Sequence, residues 1–485
     1  MASCLQSVSA LLLAFVILFG CRTTTTAAAD EPENATGPDR ETREAHRVEI
    51  DLDQRFQTIR GFGASGAWWP NYVAEFPDEK RDRMLRLLFT DEGADMSIYR
   101  YNLPAGDGEE ITAPLRRTVL VELAPGEYDF DRDWKAQRIL EEVRALGVEK
   151  FVLFSKSPPP RLLINGKVSG GPDGGSNLRP DAREDFAEYL LDLTEYYTER
   201  FDLPEVVLSP INEPQWRWGR DRRNQEGCHY TPEETAATVR ALIDAKLERG
   251  LDIAIEAPES GAWDRSQRYA EALFSDPVID EHLHTFSVHS YWSSPEHRRK
   301  TVEWFNRHYP EKALAMTEYC QMEHGHDLSI ESGLHMANVM HEDLVVASVE
   351  TWQWWLCIFG GGFKDALIYA HPETQVIETT KRLWTMGHFS RFVRPGAVRV
   401  AADTDAAELR VSAFLSQNED QLAIVLINNG EDAQTLRPTL TGHAIESLRA
   451  YVTTSDLDLA PLNDISLDQV ETPGLSITTL VLALR

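Results

Sequence analysis

Short apolar runs alternate with longer amphipathic stretches along most of the chain beyond Val48. A buried strand is typically an apolar run of about 4–8 residues, and a helix that covers a sheet repeats its apolar positions about every 3.6 residues. The predicted strands are 58–64, 95–101, 150–155, 205–211, 252–257, 285–290, 313–317 and 349–354. The predicted helices are 132–146, 181–200, 232–249, 295–308 and 330–346. For the helix that begins at Pro232, Thr231 and Glu234 predict a capping box.

This alternation is typical of an α/β protein with a parallel sheet. Eight such units predict a closed (β/α)8 TIM barrel, which we assign to residues 58–392. An open, doubly wound sheet is the alternative, and it usually carries a glycine-rich phosphate loop after an early strand. The glycines of 61–66 lack that spacing and are not followed by a helix with an acidic ribose partner. We interpret them as a tight turn at the barrel mouth.

The last part of the chain has a different pattern. Short alternating runs at 409–414, 421–427, 444–453 and 475–484 are separated by turn residues, and helical periodicity is scarce. This pattern predicts a small antiparallel β-sandwich over 393–485. The segment 46–57 also begins with a strand-like run, which belongs either to this sandwich or to the barrel.

The N-terminus has the features of an export signal over 1–21. Its apolar run, 10–19, is too short to span a bilayer. The run ends Leu18-Phe19-Gly20-Cys21, which resembles a bacterial lipoprotein cleavage box, although Phe19 is bulky and no basic residue precedes the run. We expect an exported cell-surface or periplasmic lipoprotein that touches the membrane only through a lipid on Cys21, with plain secretion as the alternative. Residues 22–45 are predicted to be a flexible linker.

Charge and aromatic content bear on the kind of molecule that the protein binds. A net charge of −30 argues against nucleic acid and against an anionic membrane surface. The chain has 12 tryptophans, several of them in short clusters. A single tryptophan is usually core, but clusters at strand ends suggest flat platforms for sugar rings. Trp68, Trp216 and Trp354 are the candidates.

The cysteines define no site. If Cys21 carries the lipid, the cysteines that remain are Cys228, Cys320 and Cys357. Three cysteines cannot all form disulfides within one chain. They are too scattered for a structural zinc site. The sequence leaves one disulfide with one free thiol as an alternative to three free thiols.

Two glutamates carry the strongest chemical signal. Glu213, in Asn-Glu-Pro, and Glu318, in Thr-Glu-Tyr, each end an apolar strand, and they lie 105 residues apart. That separation corresponds to three βα units, so the two residues would end barrel strands four and seven, across the mouth from each other. Active sites of TIM barrels lie at this face, where two carboxyls could flank one glycosidic bond. A structural ion pair is the alternative.

Other strand ends offer supporting residues. Arg100 could hold Glu318 ionised, or form a structural salt bridge. Asn212 could hydrogen-bond a sugar 2-hydroxyl. Tyr291 could hydrogen-bond the nucleophile and His289 a sugar hydroxyl, each with a barrel-packing role as the alternative. Trp352 and Trp354 alternate along strand eight, so one of them could form the floor beneath the reacting sugar.

Together these motifs resemble glycoside hydrolase family 30. The matching features are 57–65, Ser157-Pro-Pro, Asn212-Glu213-Pro214, Thr317-Glu318 and the terminal β segment. The resemblance covers about 46–485 and implies a (β/α)8 barrel with a side β-sandwich that also takes the strand at 46–52. It further implies Glu213 as acid/base, Glu318 as nucleophile, a polysaccharide or oligosaccharide substrate, and no cofactor or metal.

Within the family, the segments 100–102, 154–159, 214–216 and 225–228 are similar to those of endo-β-1,6-galactanases, which act on arabinogalactan side chains. β-1,6-Glucanase or xylanase specificity is the alternative, as is a non-catalytic glycan-binding protein on the same scaffold. The histidines at 282, 284, 289, 324 and 326 match no compact metal motif.

The loop 217–223 departs from the galactanase pattern because it holds four arginines. They could clamp a substrate carboxylate, or they could be solvated and paired with Asp221 and Glu226.

Overall fold

The computed structural model describes residues 45–220, 224–440, 444–463 and 465–485. The predicted export signal, Cys21 and nearly all of the predicted linker lie outside these residues. No helix in the described ranges is both long enough and apolar enough to cross a membrane.

The described chain contains the predicted TIM barrel. Eight parallel strands close in chain order, and Thr351 of the last strand pairs with Gly61 of the first. Barrel strands one to eight are Gly61–Ser65, Ile98–Asn102, Lys150–Phe154, Glu205–Ser209, Ala254–Ser260, Thr285–His289, Ala313–Tyr319 and Thr351–Trp354. The (β/α)8 fold is therefore confirmed, and each predicted strand overlaps its observed counterpart.

Amphipathic helices surround the barrel. They are Pro70–Val73, Asp78–Phe89, Trp134–Ala145, Arg183–Phe201, Pro232–Arg249, Gln267–Phe274, Pro277–His282, Pro295–His308, Ile330–His341 and Lys381–Ser390. The predicted capping box is confirmed, since the Thr231 hydroxyl accepts from the Glu234 amide and the Glu234 carboxylate accepts from the Thr231 amide. The helix predicted for 330–346 ends earlier, at His341, and continues as a π-helical turn, Glu342–Val346.

A second sheet of nine strands packs around its own apolar core. Its strands are His46–Thr58, Val398–Thr404, Leu409–Leu415, Gln421–Asn428, Gln434–Leu440, Ile445–Thr453, Ala460–Leu462, Val470–Thr472 and Ser476–Leu484. The strand His46–Thr58 pairs antiparallel with Val398–Thr404 but parallel with Gln434–Leu440. The sheet is therefore antiparallel except at this pair, because that strand arrives from before the barrel and not through a hairpin.

Two irregular regions extend the barrel mouth. Strand eight is followed by a small sheet of Leu356–Phe359, Ala366–Ala370 and Ile377–Thr379. Strand two is followed by a long loop that includes the short helical turn Pro114–Arg116. These segments bring additional side chains to the carboxyl ends of the strands.

The three described cysteines, Cys228, Cys320 and Cys357, are buried and free. The disulfide left open by the sequence is therefore not formed among them.

Candidate active site

Glu213 and Glu318 meet at the mouth of the barrel. Glu318 lies in strand seven, and Glu213 follows strand four in a left-handed backbone conformation with φ 47°. A carboxylate oxygen of each, together with a ring nitrogen of His289, forms a group whose atoms all lie within 4.8 Å of one another. Both glutamates are buried but line the same cleft. The sequence separation of three βα units thus brings the two carboxyls face to face.

Arg100 links the strands beneath these carboxyls. Its Nη1 donates to Glu318 Oε2 at 2.6 Å, and its Nη2 donates to Asn212 Oδ1 at 3.0 Å and to Glu259 Oε2 at 2.9 Å. The guanidinium is fully buried and stacks on the Phe154 ring at 3.6 Å. Arg100 therefore forms a buried salt bridge that crosses the barrel to Glu318.

Tyr291 and His289 complete the shell around the pair. Tyr291 Oη donates to Glu318 Oε1 at 3.1 Å, at the predicted place. His289 lies deeper than expected: its Nδ1 is 3.3 Å from Glu213 Oε1 and its Nε2 is 2.7 Å from Glu259 Oε2. Because carboxylates occupy both ring nitrogens, His289 positions the glutamates and has no free nitrogen for a sugar hydroxyl.

Glu259 is a site residue that the sequence prediction missed. It is fully buried at the end of strand five. It accepts hydrogen bonds from Ser209 Oγ at 2.7 Å and Thr317 Oγ1 at 2.8 Å, besides its bonds with Arg100 and His289. Burial would raise the pKa of Glu259, but Arg100 and His289 outweigh it and lower the pKa to about 2. The sequence contains a signal for Glu259, because this residue also lies at the end of a barrel strand. It was missed because the predicted strand ended at residue 257.

The charged groups of the site shift one another's pKa values. Burial raises the pKa of Glu318, while His289 and Arg100 oppose that shift. Burial would lower the pKa of His289, but Glu318, Glu213 and Glu259 overcome it and raise the pKa to about 9. A protonated His289 can donate from both ring nitrogens to the neighbouring carboxylates.

A cleft with a volume of about 930 Å³ opens above these groups. Trp68 and Trp216 line it, as predicted, and so does Trp355. Trp354 does not line it: the side chain is fully buried, and its indole donates to the Asp365 carbonyl at 2.7 Å. Trp352 and Trp354 do share one side of strand eight, with ring centroids 6.2 Å apart, but that side belongs to the buried core.

Two tryptophan pairs flank the carboxyls of Glu213 and Glu318. Trp68 and Trp355 meet edge to face at 5.0 Å, and Trp216 and Trp292 do so at 5.1 Å. Trp292 is 60% exposed, so much of its ring surface is open to the cleft or to solvent. The cleft therefore offers apolar ring surface on both sides of the central glutamates.

The arginine loop borders the cleft in part. Arg217 and Arg220 line it, and Arg217 donates to the Asp173 carbonyl at 3.2 Å. Asp221, Arg222 and Arg223 lie outside the described residues. Glu226 is not the surface partner that the solvated-loop alternative assumed, because it is fully buried and accepts from Thr118 Oγ1.

The buried His289 makes stability depend on pH. Its pKa in the folded chain is about 9, above the ordinary value of 6.5. Its stabilising contribution is therefore complete below about pH 6.5 and is lost as the pH rises through about 9. We expect the Tm to fall over this interval by more in the wild type than in His289→Gln, as measured by calorimetry. Parallel Tm curves for the two proteins would contradict the assignment.

Comparison with known proteins identifies the family. The profile of O-glycosyl hydrolase family 30 matches residues 45–369. An endo-β-1,6-galactanase of Hypocrea rufa is 23% identical over 81% of this chain and 83% of its own length. A glucuronoxylanase of Bacillus subtilis is 22% identical over 68% of this chain and 73% of its own length.

The fold is also shared with solved structures. A conserved exported protein from Bacteroides fragilis superposes with a TM-score of 0.80 at 24% identity, covering 90% of this chain and 99% of that one. All eight barrel strands and both carboxyls, Glu213 and Glu318, lie within the residues that the family profile matches. The chain belongs to glycoside hydrolase family 30.

Proposed function

We propose that the protein is a retaining β-glycoside hydrolase with Glu318 as nucleophile and Glu213 as acid/base. The observation that carries this proposal is the proximity of the two carboxylates, with oxygens no more than 4.8 Å apart. Retaining enzymes hold their carboxyls about 5–5.5 Å apart, whereas inverting enzymes leave about 6.5–9.5 Å for a water molecule.

The reaction proceeds in two displacements. Glu318 Oε attacks the anomeric carbon while Glu213 donates its proton to the departing glycosidic oxygen, which gives a glycosyl ester and a free hydroxyl. Glu213, now ionised, takes a proton from water, whose oxygen displaces Glu318 and restores both residues. Arg100 and Tyr291 donate to Glu318 throughout and keep it oriented.

We further propose β-1,6-galactan, as in arabinogalactan side chains, as the substrate and endo action as the mode of cleavage. Supporting this are the galactanase-like segments of the sequence, the relative from Hypocrea rufa and the tryptophan pairs on both sides of the carboxyls. β-1,6-Glucanase or xylanase specificity is the alternative within the family, and the similarity to a glucuronoxylanase supports testing it. A non-catalytic glycan-binding role would not require the preserved carboxyl pair.

A hydrolysis screen tests these proposals. The purified protein is incubated with β-1,6-galactan, β-1,6-glucan, glucuronoxylan and laminarin, product sizes are resolved, and early anomers are read by NMR. We expect oligosaccharides from β-1,6-galactan with the β configuration kept. Inverted anomers would reject the double displacement, and binding without reducing-sugar release would favour the non-catalytic role.

The arginine loop supports a narrower proposal, that Arg217, Arg220, Arg222 and Arg223 bind a carboxylate on the substrate. Replacing each by Ala should lower kcat/KM for a glucuronosylated oligosaccharide about 10- to 100-fold relative to the neutral one, the value of a lost charge-assisted hydrogen bond. Arg437, exposed on the second sheet, gives the matched control Arg437→Ala. If the ratio of kcat/KM for the acidic and neutral oligosaccharides is unchanged in all four variants, the loop is only a solvated edge of the cleft and does not bind the carboxylate.

Export is part of the proposal. We propose that residues 1–21 direct the chain out of the cytoplasm and that a lipid on Cys21 anchors it at the cell surface or in the periplasm. Fractionation of cells that produce the wild type and Cys21→Ser tests this. Release of only the variant into the soluble exported fraction supports the anchor, and equal release of both would indicate plain secretion.

A further inference from the structure

Lys156 is a buried residue whose ammonium has no hydrogen-bond partner among the described residues. Its side chain lines the cleft, yet the residue is only 3% exposed. Among the described residues, its Nζ has no hydrogen-bond acceptor and no ion pair within 4.0 Å. It lies over the rings of Trp68 at 4.6 Å and Trp355 at 5.2 Å. Cation–π contacts with these rings compensate only part of the lost hydration, so the free protein holds this ammonium at a cost.

Asp365 is a second such group on the same side. It follows strand eight, lines the cleft, is 3% exposed and has an Oδ1 without a hydrogen-bond donor among the described residues. The buried Trp68 Nε1 likewise lacks an acceptor in this part of the chain. A buried amine donor and a buried carboxyl acceptor, each with an atom that lacks a hydrogen-bond partner at a cleft wall, are what a ligand with several hydroxyls would satisfy.

The barrel topology places these groups together. A line from strand four to strand seven divides the mouth into two halves. Strands eight, one, two and three supply one half, and strands five and six supply the other. Lys156 follows strand three, Trp68 follows strand one and Asp365 follows strand eight, so all three lie in the first half. The exposed Trp292, which follows strand six, lies in the second.

We propose that Lys156 and Asp365 bind the hydroxyls of a neutral sugar ring, the one whose anomeric carbon meets Glu318, and thereby decide which sugar is accepted. This inference rests on the proposed glycosidase function. In it, Lys156 donates to one ring hydroxyl and Asp365 accepts from another, while the remaining glycan extends toward Trp216 and Trp292.

The groups in this half of the mouth suit the hydroxyls of a neutral ring. Arg116 stacks on Trp68 at 4.3 Å, so Lys156 and Arg116 contribute two positive charges to this half. Asp365 interacts electrostatically with Arg116, while Glu226 and Glu318 interact with Lys156. Burial raises the pKa of Asp365 to about 7 and also raises the pKa of Glu226. A hydroxyl can both donate and accept, so it can pair with Lys156 and with either protonation state of Asp365.

Binding of a neutral oligosaccharide provides the first test. All proteins in this test carry Glu318→Gln, and they are compared with and without Lys156→Met or Asp365→Asn. Calorimetry gives the Kd of each for three ligands: β-1,6-galactotetraose, β-1,6-glucotetraose and a glucuronate-bearing oligosaccharide. We expect each substitution to raise the Kd for the preferred neutral tetraose about 10- to 100-fold. Lys150→Met is the matched control: this buried lysine begins strand three, which Lys156 follows, but it pairs with Glu205, so the Kd should not change.

A second measurement identifies the hydroxyls. Wild type and Lys156→Met are compared on 4-nitrophenyl β-galactoside and its 3-, 4- and 6-deoxy analogues. The loss in kcat/KM from Lys156→Met should disappear for the one analogue that lacks its hydroxyl partner, which a merely structural role would not produce.

An unchanged Kd in folded Lys156→Met, or a loss confined to the glucuronate-bearing ligand, would overturn the inference. If that variant does not fold, the wild type alone tests the inference. A kcat/KM that stays within about twofold of the parent value for every deoxy analogue would then overturn it. Lys156-dependent binding without any hydrolysis in the screen would leave the inference standing and reject the hydrolase proposal.

Discussion

Replacing Glu318 by Gln is expected to abolish nearly all turnover on natural glycan and on activated aryl glycosides alike. An amide at this position cannot form the glycosyl ester, and it also loses the charge that Arg100 Nη1 meets at 2.6 Å. The loss should exceed the about 10²–10⁴-fold that a missing general acid or base costs. Measuring kcat/KM on β-1,6-galactan and on a dinitrophenyl β-glycoside checks it, with both expected to fall together.

Glu256 provides the matched control for this substitution. It is buried in strand five, and burial together with Glu259 raises its pKa to about 8. Its carboxyl is therefore neutral below that pH, so Glu256→Gln replaces it with a group of the same size and charge. We expect near wild-type turnover from this variant near neutral pH. Activity of Glu318→Gln that survives on the aryl glycoside but not on the glycan would reverse the roles proposed for Glu318 and Glu213.

Hydrophobic periodicity was sufficient to predict that Glu213 and Glu318 meet at the mouth of the barrel. Apolar strands that end in a carboxylate are easy to see at Glu213 and Glu318, and the closed barrel converts a separation of three units into opposition across the mouth. Arg100 and Tyr291 were predicted at strand ends for the same reason. These residues belong to regular elements or follow them directly, so the direction of each side chain follows from the strand that carries it.

Residues beyond the strand ends were harder to predict. Trp354 and Trp355 are adjacent, and only the exact end of strand eight, at Trp354, separates a core side chain from one that lines the cleft. Asp365 and Lys156 lie in loops whose path depends on tertiary contacts. The parallel pairing of His46–Thr58 with Gln434–Leu440 is a contact between chain segments almost 400 residues apart, for which hydrophobic pattern specifies a face but no partner.

Replacing Glu213 by Gln should reduce turnover of β-1,6-galactan by about 10²–10⁴-fold, the usual value of general acid–base assistance. The expected loss depends on the leaving group. A sugar alkoxide needs the proton that Glu213 supplies, whereas a dinitrophenolate departs without it. The first displacement should therefore survive on the aryl glycoside, while the second slows because no base activates water. Stopped-flow release of dinitrophenol should show a burst of about one equivalent followed by a slow steady state.

Azide separates an acid/base role from a nucleophilic or structural one. It needs no base, so it should attack the anomeric carbon of the glycosyl ester, displace the Glu318 carboxylate and raise the steady-state rate of Glu213→Gln. The product should be a β-glycosyl azide, identifiable by NMR, and Glu318→Gln should give none of it. The amide introduced by Glu213→Gln retains an oxygen near His289 Nδ1, which lies 3.3 Å from Glu213 Oε1 in the wild type, so the network beneath should persist and the Tm should change little. Absence of both the burst and the azide product in folded Glu213→Gln would remove Glu213 from the acid/base role.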